Sequence, residues 1–283
     1  MISIFIMYSP DRKQYLEKQI HFLKKMTGYD ECQKILVVDG LTNVQPDGFD
    51  VVEMTRSAGF NWSRAWQTGV DHSKFDNILY LDCDRLFPKN YLLEIQKALQ
   101  ESPDCFVYTP NLFTIRKYPG EQTIDEILAS HPEDIKKNNF DGCIMYEPRF
   151  THPVHFPGKN AMSGSVAFAK DTFLRSGGVD SWYEGHGAFA DSDFFMQTVR
   201  KGLRFYVLPD LVELHFGHTK RDESNNIISD GELKMQGLYN FIYYCKKWGI
   251  GFEKAIIVAK NIGVPNPQLH LEEVLHEMAN NET

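Results

Sequence analysis

Through its first eighty residues the chain alternates short apolar runs with helical stretches, and this rhythm constrains the fold more than any other feature. Residues 2–8, 34–38 and 51–54 read as strands; 12–26 and 63–72 read as helices. Parallel neighbours need a crossover of a dozen residues or more, usually a helix, so the pattern predicts a mostly parallel α/β sheet. Residues 77–81 read as a further buried strand that runs straight into Asp82-Cys83-Asp84. Ligands of open α/β sheets bind at the carboxyl ends of the strands, so polar residues there are candidates for function.

Residues 90–101 read as a helix. The stretch 109–159 reads as irregular substrate-side loops, because Pro110, Pro119, Pro132, Pro148, Pro153 and Pro157 punctuate it. Order resumes with a strand at 165–169, a helix at 171–176, the Gly177-Gly178 turn, a helix at 192–201 ended by Gly202, and a strand at 204–208. The sheet is expected to close by about residue 216. Beyond it, 219–230 is polar and is expected to act as a lid, whereas 231–248, 252–262 and 268–278 read as helices. Leu238, Phe241, Ile242 and Cys245 recur at helical spacing, a stripe that packs on the main domain more readily than on a partner. The expected organisation is one domain over 1–221 and a helical extension over 222–283.

A chain of 283 residues, 42% hydrophobic and 24% charged, can bury one large core. Its formal net charge of −8 argues against a nucleic-acid surface and against general attraction to anionic lipid. No apolar run reaches the length of a bilayer span, and Met1–Tyr8 is too short and lacks the basic flank of a leader. Five scattered cysteines without a C-x-x-C pair suggest neither a disulfide framework nor a zinc site. A reducing cytoplasm is the expected location, with peripheral association at a membrane left open.

Asp82 and Asp84 lie two apart at a strand end, which turns both side chains to one side. Two convergent carboxylates suit Mn²⁺ or Mg²⁺, completed by substrate phosphates and water; the plainer alternative is that they cap the next turn. Downstream come Asn160-Ala-Met-Ser-Gly164-Ser165 before Val-Ala-Phe168, then Gly177-Gly178-Val179-Asp180, then Tyr183-Glu-Gly185-His186-Gly187-Ala-Phe-Ala190-Asp191-Ser192-Asp193, and lastly Glu213-Leu-His215-Phe-Gly217-His218-Thr-Lys220-Arg221.

This order of parts resembles the GT-A glycosyltransferases over residues 1–221. The likeness is to family-2-like enzymes and to polypeptide N-acetylgalactosaminyltransferases, β-1,4-galactosyltransferases and chondroitin-type polymerases. It implies transfer of a sugar from a nucleotide donor, a UDP-sugar, to a saccharide or other hydroxyl acceptor, with a divalent metal. It places Asp39 of Val37-Val38-Asp39-Gly40 at the base and Ser9 in the loop beneath it. Arg64 of Asn61-Trp62-Ser63-Arg64 falls near the diphosphate. Metal ligands would be Asp82, Asp84 and His218, with His215 in reserve. Asp82, Gly164 and Trp182 would face the donor, Lys220 and Arg221 would clamp the leaving diphosphate, and His186 and Asp193 would lie on the acceptor side.

Asp191 matches the acid that deprotonates the acceptor in inverting members. The chain departs from that pattern where Ala190 replaces the preceding Glu and the neighbouring Trp is missing, which leaves retention open. Each residue also has a structural alternative: Asp39 as the cap of the Gly40 turn, Arg64 as a solvated helix residue, and Asp191 or Ser192 as the N-cap of its helix. Two other functions stay in view. The apolar strand before Asp82 also resembles haloacid-dehalogenase-type phosphatases, although that motif follows the first strand of its fold. A carbohydrate-binding module or a degenerate sugar-nucleotide-binding subunit would suit Ala190.

Overall fold

The computed structural model describes residues 1–55, 62–138, 140, 143–146, 165–183, 189–216 and 230–251, with scattered positions from 253 to 276. The chain opens with β1 (Ser3–Tyr8), α1 (Lys13–Leu23), β2 (Gln33–Asp39), β3 (Asp50–Met54), α2 (Trp62–His72) and β4 (Asn77–Asp82). It continues through β5 (Arg85–Leu86), α3 (Tyr91–Glu101), β6 (Cys105–Tyr108), β7 (Asn111–Ile115), α4 (Glu121–Ala129), α5 (Pro132–Asn138) and β8 (Ile144–Tyr146). Then follow β9 (Val166–Ala169), α6 (Lys170–Ser176), α7 (Ala190–Arg200), β10 (Arg204–Val207), β11 (Val212–Phe216) and α8 (Asp230–Trp248).

Seven strands form the main sheet in the order β10-β6-β9-β4-β1-β2-β3. The pairs β1·β2, β1·β4, β2·β3 and β6·β10 are parallel, and β9 runs antiparallel between β4 and β6. Alternation along each strand feeds two cores. Ile4, Ile6 and Tyr8 of β1 pack with Leu16 of α1 and Ile95 of α3, while Phe5 and Met7 pack with Trp66 of α2 and Phe194 of α7. Burial on both faces is why these strands read as continuous apolar runs.

A second sheet, β5-β11-β7-β8, is covered by α4 and α5 through Ile124, Ile127 and Ile135. This corrects the expectation of irregular loops over 109–159. Pro119 lies just before α4, and Pro132 opens α5 at the position where a missing N–H costs nothing. The prolines mark element boundaries. Pro148, Pro153 and Pro157 lie outside the described residues. Residue 213 onward also proves not to follow the final strand: Glu213 and His215 are within β11, whose polar–apolar alternation has strand period.

Of the C-terminal helices, α8 is described and matches the stretch expected at 231–248; 252–262 and 268–278 fall largely outside the described residues. Phe241, Ile242 and Cys245 of the apolar stripe are buried with Trp182, Phe189 and Met196, so α8 packs on the α7 region as expected. Leu238 is not among the described side chains.

Gly69 marks where α2 crosses β1: a Cβ there would come within 2.4 Å of the Phe5 ring. That ring is locked among Trp66 and Tyr80. Alanine gains up to about 1 kcal/mol in helix propensity, but overpacking costs about 1–3 kcal/mol. Gly69→Ala is therefore expected to lower stability by about 1 kcal/mol, measured by urea unfolding.

Candidate active site

The strand order reverses between β1 and β4, and the crevice beyond their carboxyl ends is where open α/β sheets bind ligands. Met7 of β1 is in register with Asp82 of β4, and Tyr8 with Val38 of β2. This brings Ser9, Asp39, Asp82 and Asp84 to one edge. Ser9 precedes the helical turn Pro10–Arg12, and Asp39, 1% exposed, ends β2 against Gly40, whose N–H donates to the Met54 carbonyl at 3.1 Å. Gly40 has φ 113°, a conformation that favours glycine, so the Asp-Gly turn is real and coexists with any role in binding.

The acids after β4 are set in a compact charged cluster. Asp84 is nearly buried and accepts a bond from Arg12 Nη1 at 2.6 Å. Arg85 bridges both acids, with Nη2 3.3 Å from Asp82 Oδ2 and Nε 3.7 Å from Asp84 Oδ1. The Tyr80 hydroxyl donates to Asp82 Oδ1, and Gln19 Nε2 donates to the Asp82 carbonyl at 2.5 Å. His215 Nε2 stands 3.7 Å from Asp84 Oδ2, because β11 pairs with β5 so that His215 faces Arg85. Behind Arg85, buried Glu213 accepts from the Tyr91 hydroxyl at 2.9 Å. Burial alone would raise the Asp84 pKa; His215, Arg12 and Arg85 outweigh it and hold the carboxyl well below its ordinary range. Burial and the Asp82 charge push the Tyr80 phenol up.

Asp82 and Asp84 suit a hard divalent cation, and His215 adds an imidazole donor of a kind Mn²⁺ accepts. Among the described residues no group of three or more His, Cys, Asp or Glu side chains is placed to hold a metal ion. An open position completed by phosphate and water fits this set. Phe216 N donates to the Asp84 carbonyl at 2.9 Å, so the chain leading to position 217 is tied to the cluster. His218, Lys220 and Arg221 lie outside the described residues, as do Gly164, His186 and all of the expected lid at 219–230 except Asp230, which opens α8.

Helix α7 packs through Phe194 and Phe195 on the face of the main sheet that also carries Trp66 of α2. Asp191 is in its first turn, half-buried, with Oδ1 accepting from Ser192 N at 2.8 Å. Neither residue is the N-cap expected from sequence; the helix begins at Ala190, after Phe189 at φ 67°. A left-handed phenylalanine costs about 1–3 kcal/mol and is held by its surroundings. Here Phe189 stacks on Phe241 of α8, with ring centroids 4.8 Å apart and planes 25° apart.

Asp193, two residues on, is turned nearly to the opposite side of the helix, as a step of about 200° requires. It is 1% exposed, and its carboxylate receives Lys247 Nζ and Trp248 Nε1, each at 2.7 Å. The acceptor-side place expected for Asp193 therefore does not fit its geometry, since it anchors α8. Lys247 Nζ also reaches Asp180 Oδ2 at 2.7 Å, as does the Tyr243 hydroxyl. Trp182 lies flat against Tyr243, at 4.6 Å and 10°. Arg64 is exposed and donates from Nη1 to the Thr55 carbonyl at 3.1 Å.

Sequence reasoning missed Arg12, Arg85, Glu213 and Lys247. Arg85 adjoins the D-x-D and could have been suspected; the others meet their partners only through tertiary contact.

No protein-family model matches the chain, and no curated protein sequence matches it. Solved structures do. The mannosyltransferase PcManGT from Pyrobaculum calidifontis, in complex with GDP-Man and Mn²⁺, is similar at 14% identity and TM-score 0.53, covering 99% of this chain and 75% of its own. GalNAc-T7, with UDP, GalNAc and Mn²⁺, is similar at 12% identity and TM-score 0.57, over 99% of this chain and 57% of its own. S. aureus TarS 1–349, in complex with UDP-GlcNAc, is similar at 11% identity and TM-score 0.53, over 99% of this chain and 71% of its own. The chain has the GT-A fold.

Proposed function

We propose that the protein is a metal-dependent glycosyltransferase that moves a sugar from a nucleoside diphosphate donor, UDP in the first instance, to a hydroxyl acceptor. The observation that carries this reading is the gathering of the Ser9 turn, Asp39, Asp82, Asp84 and His215 at the switch point of a GT-A sheet; Asp191, in the first turn of α7, takes its role from the sequence resemblance. The phosphatase alternative loses its basis, because the D-x-D ends the fourth strand of a GT-A fold. A degenerate binding subunit remains an outcome of the activity assay.

In this reading Asp39 receives the base and the Ser9 turn lies beneath it. Asp82, Asp84 and a histidine, His218 or His215, would hold Mn²⁺ or Mg²⁺, which would act as a Lewis acid on the diphosphate. Lys220 and Arg221 stabilise its departing charge, and Arg64 and Gly164 contribute on the donor side. Trp182 and His186 border the sugar. Asp191 accepts the acceptor proton as the new C1–O bond forms and the bond from C1 to the phosphate oxygen breaks, its electron pair leaving with the nucleoside diphosphate. One displacement inverts the anomeric centre. Residues 1–221 would supply this chemistry and 222–283 a helical extension; the proposed location is cytoplasmic, with peripheral association at a membrane left open.

Calorimetric titration of UDP into metal-stripped protein, with and without Mn²⁺, tests the donor site. Binding is expected only with Mn²⁺, and Asp84→Asn is expected to weaken it about tenfold or more. Equal UDP affinity with and without Mn²⁺ would remove the metal from the reading; GDP binding in its place would change the donor.

A further inference from the structure

Arg12 and Arg85 neutralise the same pair of acids but are built differently. Arg85 has a side chain only 6% exposed, set between Asp82 and Asp84 with Glu213 behind it, so it is a fixed counter-ion. Arg12 is 25% exposed and projects from the turn Pro10–Arg12, outside the regular geometry of α1, at φ −107° and ψ 19°. It makes the shorter contact with Asp84, at 2.6 Å. Its long stem and partial exposure let it move where Arg85 cannot.

Charge gives that movement a reason. Two guanidiniums face the carboxylates of Asp82, Asp84 and Glu213, which leaves one formal negative charge in the cluster. A divalent cation on the two aspartates inverts that balance and sets a second cation beside a guanidinium that shares the same oxygen. Coulomb repulsion at such range favours release of the more mobile charge. An anionic diphosphate in the same crevice offers the planar, two-pronged partner that a guanidinium matches.

Resting on the donor site proposed above, we propose that Arg12 exchanges partners as the site loads: it occupies Asp84 in place of the cation, and it moves to the donor diphosphate once the cation is bound. Arg12 thus competes with metal and cooperates with nucleotide.

The two halves have opposite signs, which a merely structural arginine would not produce. Mn²⁺ binding without nucleotide, followed by the loss of the free-ion electron paramagnetic resonance signal, is expected to tighten about tenfold in Arg12→Ala. UDP affinity at saturating Mn²⁺, followed by calorimetry, is expected to weaken about tenfold in the same variant. Arg12→Lys, which keeps the charge without the fork, is expected to retain competition with Mn²⁺ and recover only part of the UDP affinity. Mn²⁺ affinity that is unchanged or weaker in Arg12→Ala, with the wild type binding Mn²⁺, overturns the exchange and leaves the donor site standing. Absence of Mn²⁺ binding in both proteins removes the metal site itself, and the exchange with it.

Discussion

Asp191→Asn is expected to lower kcat for sugar transfer by about 10²- to 10⁴-fold while UDP affinity in the presence of Mn²⁺ stays at the wild-type value. Asparagine preserves the shape of the side chain and, through Oδ1, the 2.8 Å bond accepted from Ser192 N, so the start of α7 is kept. It cannot take the proton of an incoming hydroxyl. The proposed nucleotide side of the site draws on the ends of β1, β2 and β4 and does not share Asp191, which is why binding and turnover should separate. Single-turnover transfer measured beside UDP calorimetry checks this, once a donor and acceptor have been found. A loss of less than about tenfold would remove Asp191 as the base. NMR of the product gives an independent answer: inversion at the anomeric carbon accords with a single displacement, and retention would require another mechanism.

Much of the main sheet was legible in the sequence because β1, β2 and β4 are buried on both faces, whereas β6, equally buried but only four residues long, was missed. Continuous runs such as Ile2–Tyr8, and the helices between them, have one physical explanation, and β1, β2, β3 and β4 fall within a residue of their expected limits. The second sheet was not legible for the opposite reason. Its strands are short, β5 only Arg85–Leu86 and β8 only Ile144–Tyr146, and their partners are distant in sequence or antiparallel. Prolines were taken as loop signals, although Pro132 opens a helix whose Ile135 is buried.

The candidate site divides in the same way. Asp82 and Asp84 stand out in the sequence, because two acids follow directly on an apolar strand. What tunes them is invisible along the chain: Arg12 is 72 positions from Asp84. His215 reaches Asp84 because β11 pairs with β5, a register no local pattern encodes. Asp193 misled because its neighbour Asp191 shares its chemistry; helical geometry separates them, and burial against α8 turns Asp193 into an anchor.

Replacing that anchor's partner should be strongly destabilising. Lys247→Met is expected to cost about 3 kcal/mol, since removing one member of a buried ion pair strands the other. Two carboxylates lose their cation at once, Asp180 and Asp193, each 2.7 Å from Lys247 Nζ. Asp193 would retain Trp248 Nε1, and Asp180 the Tyr243 hydroxyl and Trp182 N–H, so the elements stay in contact while the charge goes uncompensated.

The pH dependence follows from the present balance. For Asp180, burial raises the pKa, but Lys247, the Trp182 N–H and Tyr243 bring it below its ordinary value. Its stabilisation is therefore present above the unfolded pKa near 3.9 and lost as pH falls through the folded one. For Asp193, burial prevails over Lys247 and Trp248 and raises the pKa, so its ionised form already costs stability at neutral pH. Losing Lys247 removes the first contribution and enlarges the second cost. The gap between wild type and variant should be widest near pH 7 and narrow as pH falls below about 4, through the lowered Asp180 pKa, where both carboxyls approach neutrality. Urea unfolding at the two pH values measures it; a gap that stays constant would show that Lys247 acts through the packing of its aliphatic stem. Amide exchange supplies the link to function. With α8 loosened, Phe241 no longer holds Phe189 in its left-handed conformation, and the amides that open α7 beside Asp191 should exchange faster than those of β1 and β4.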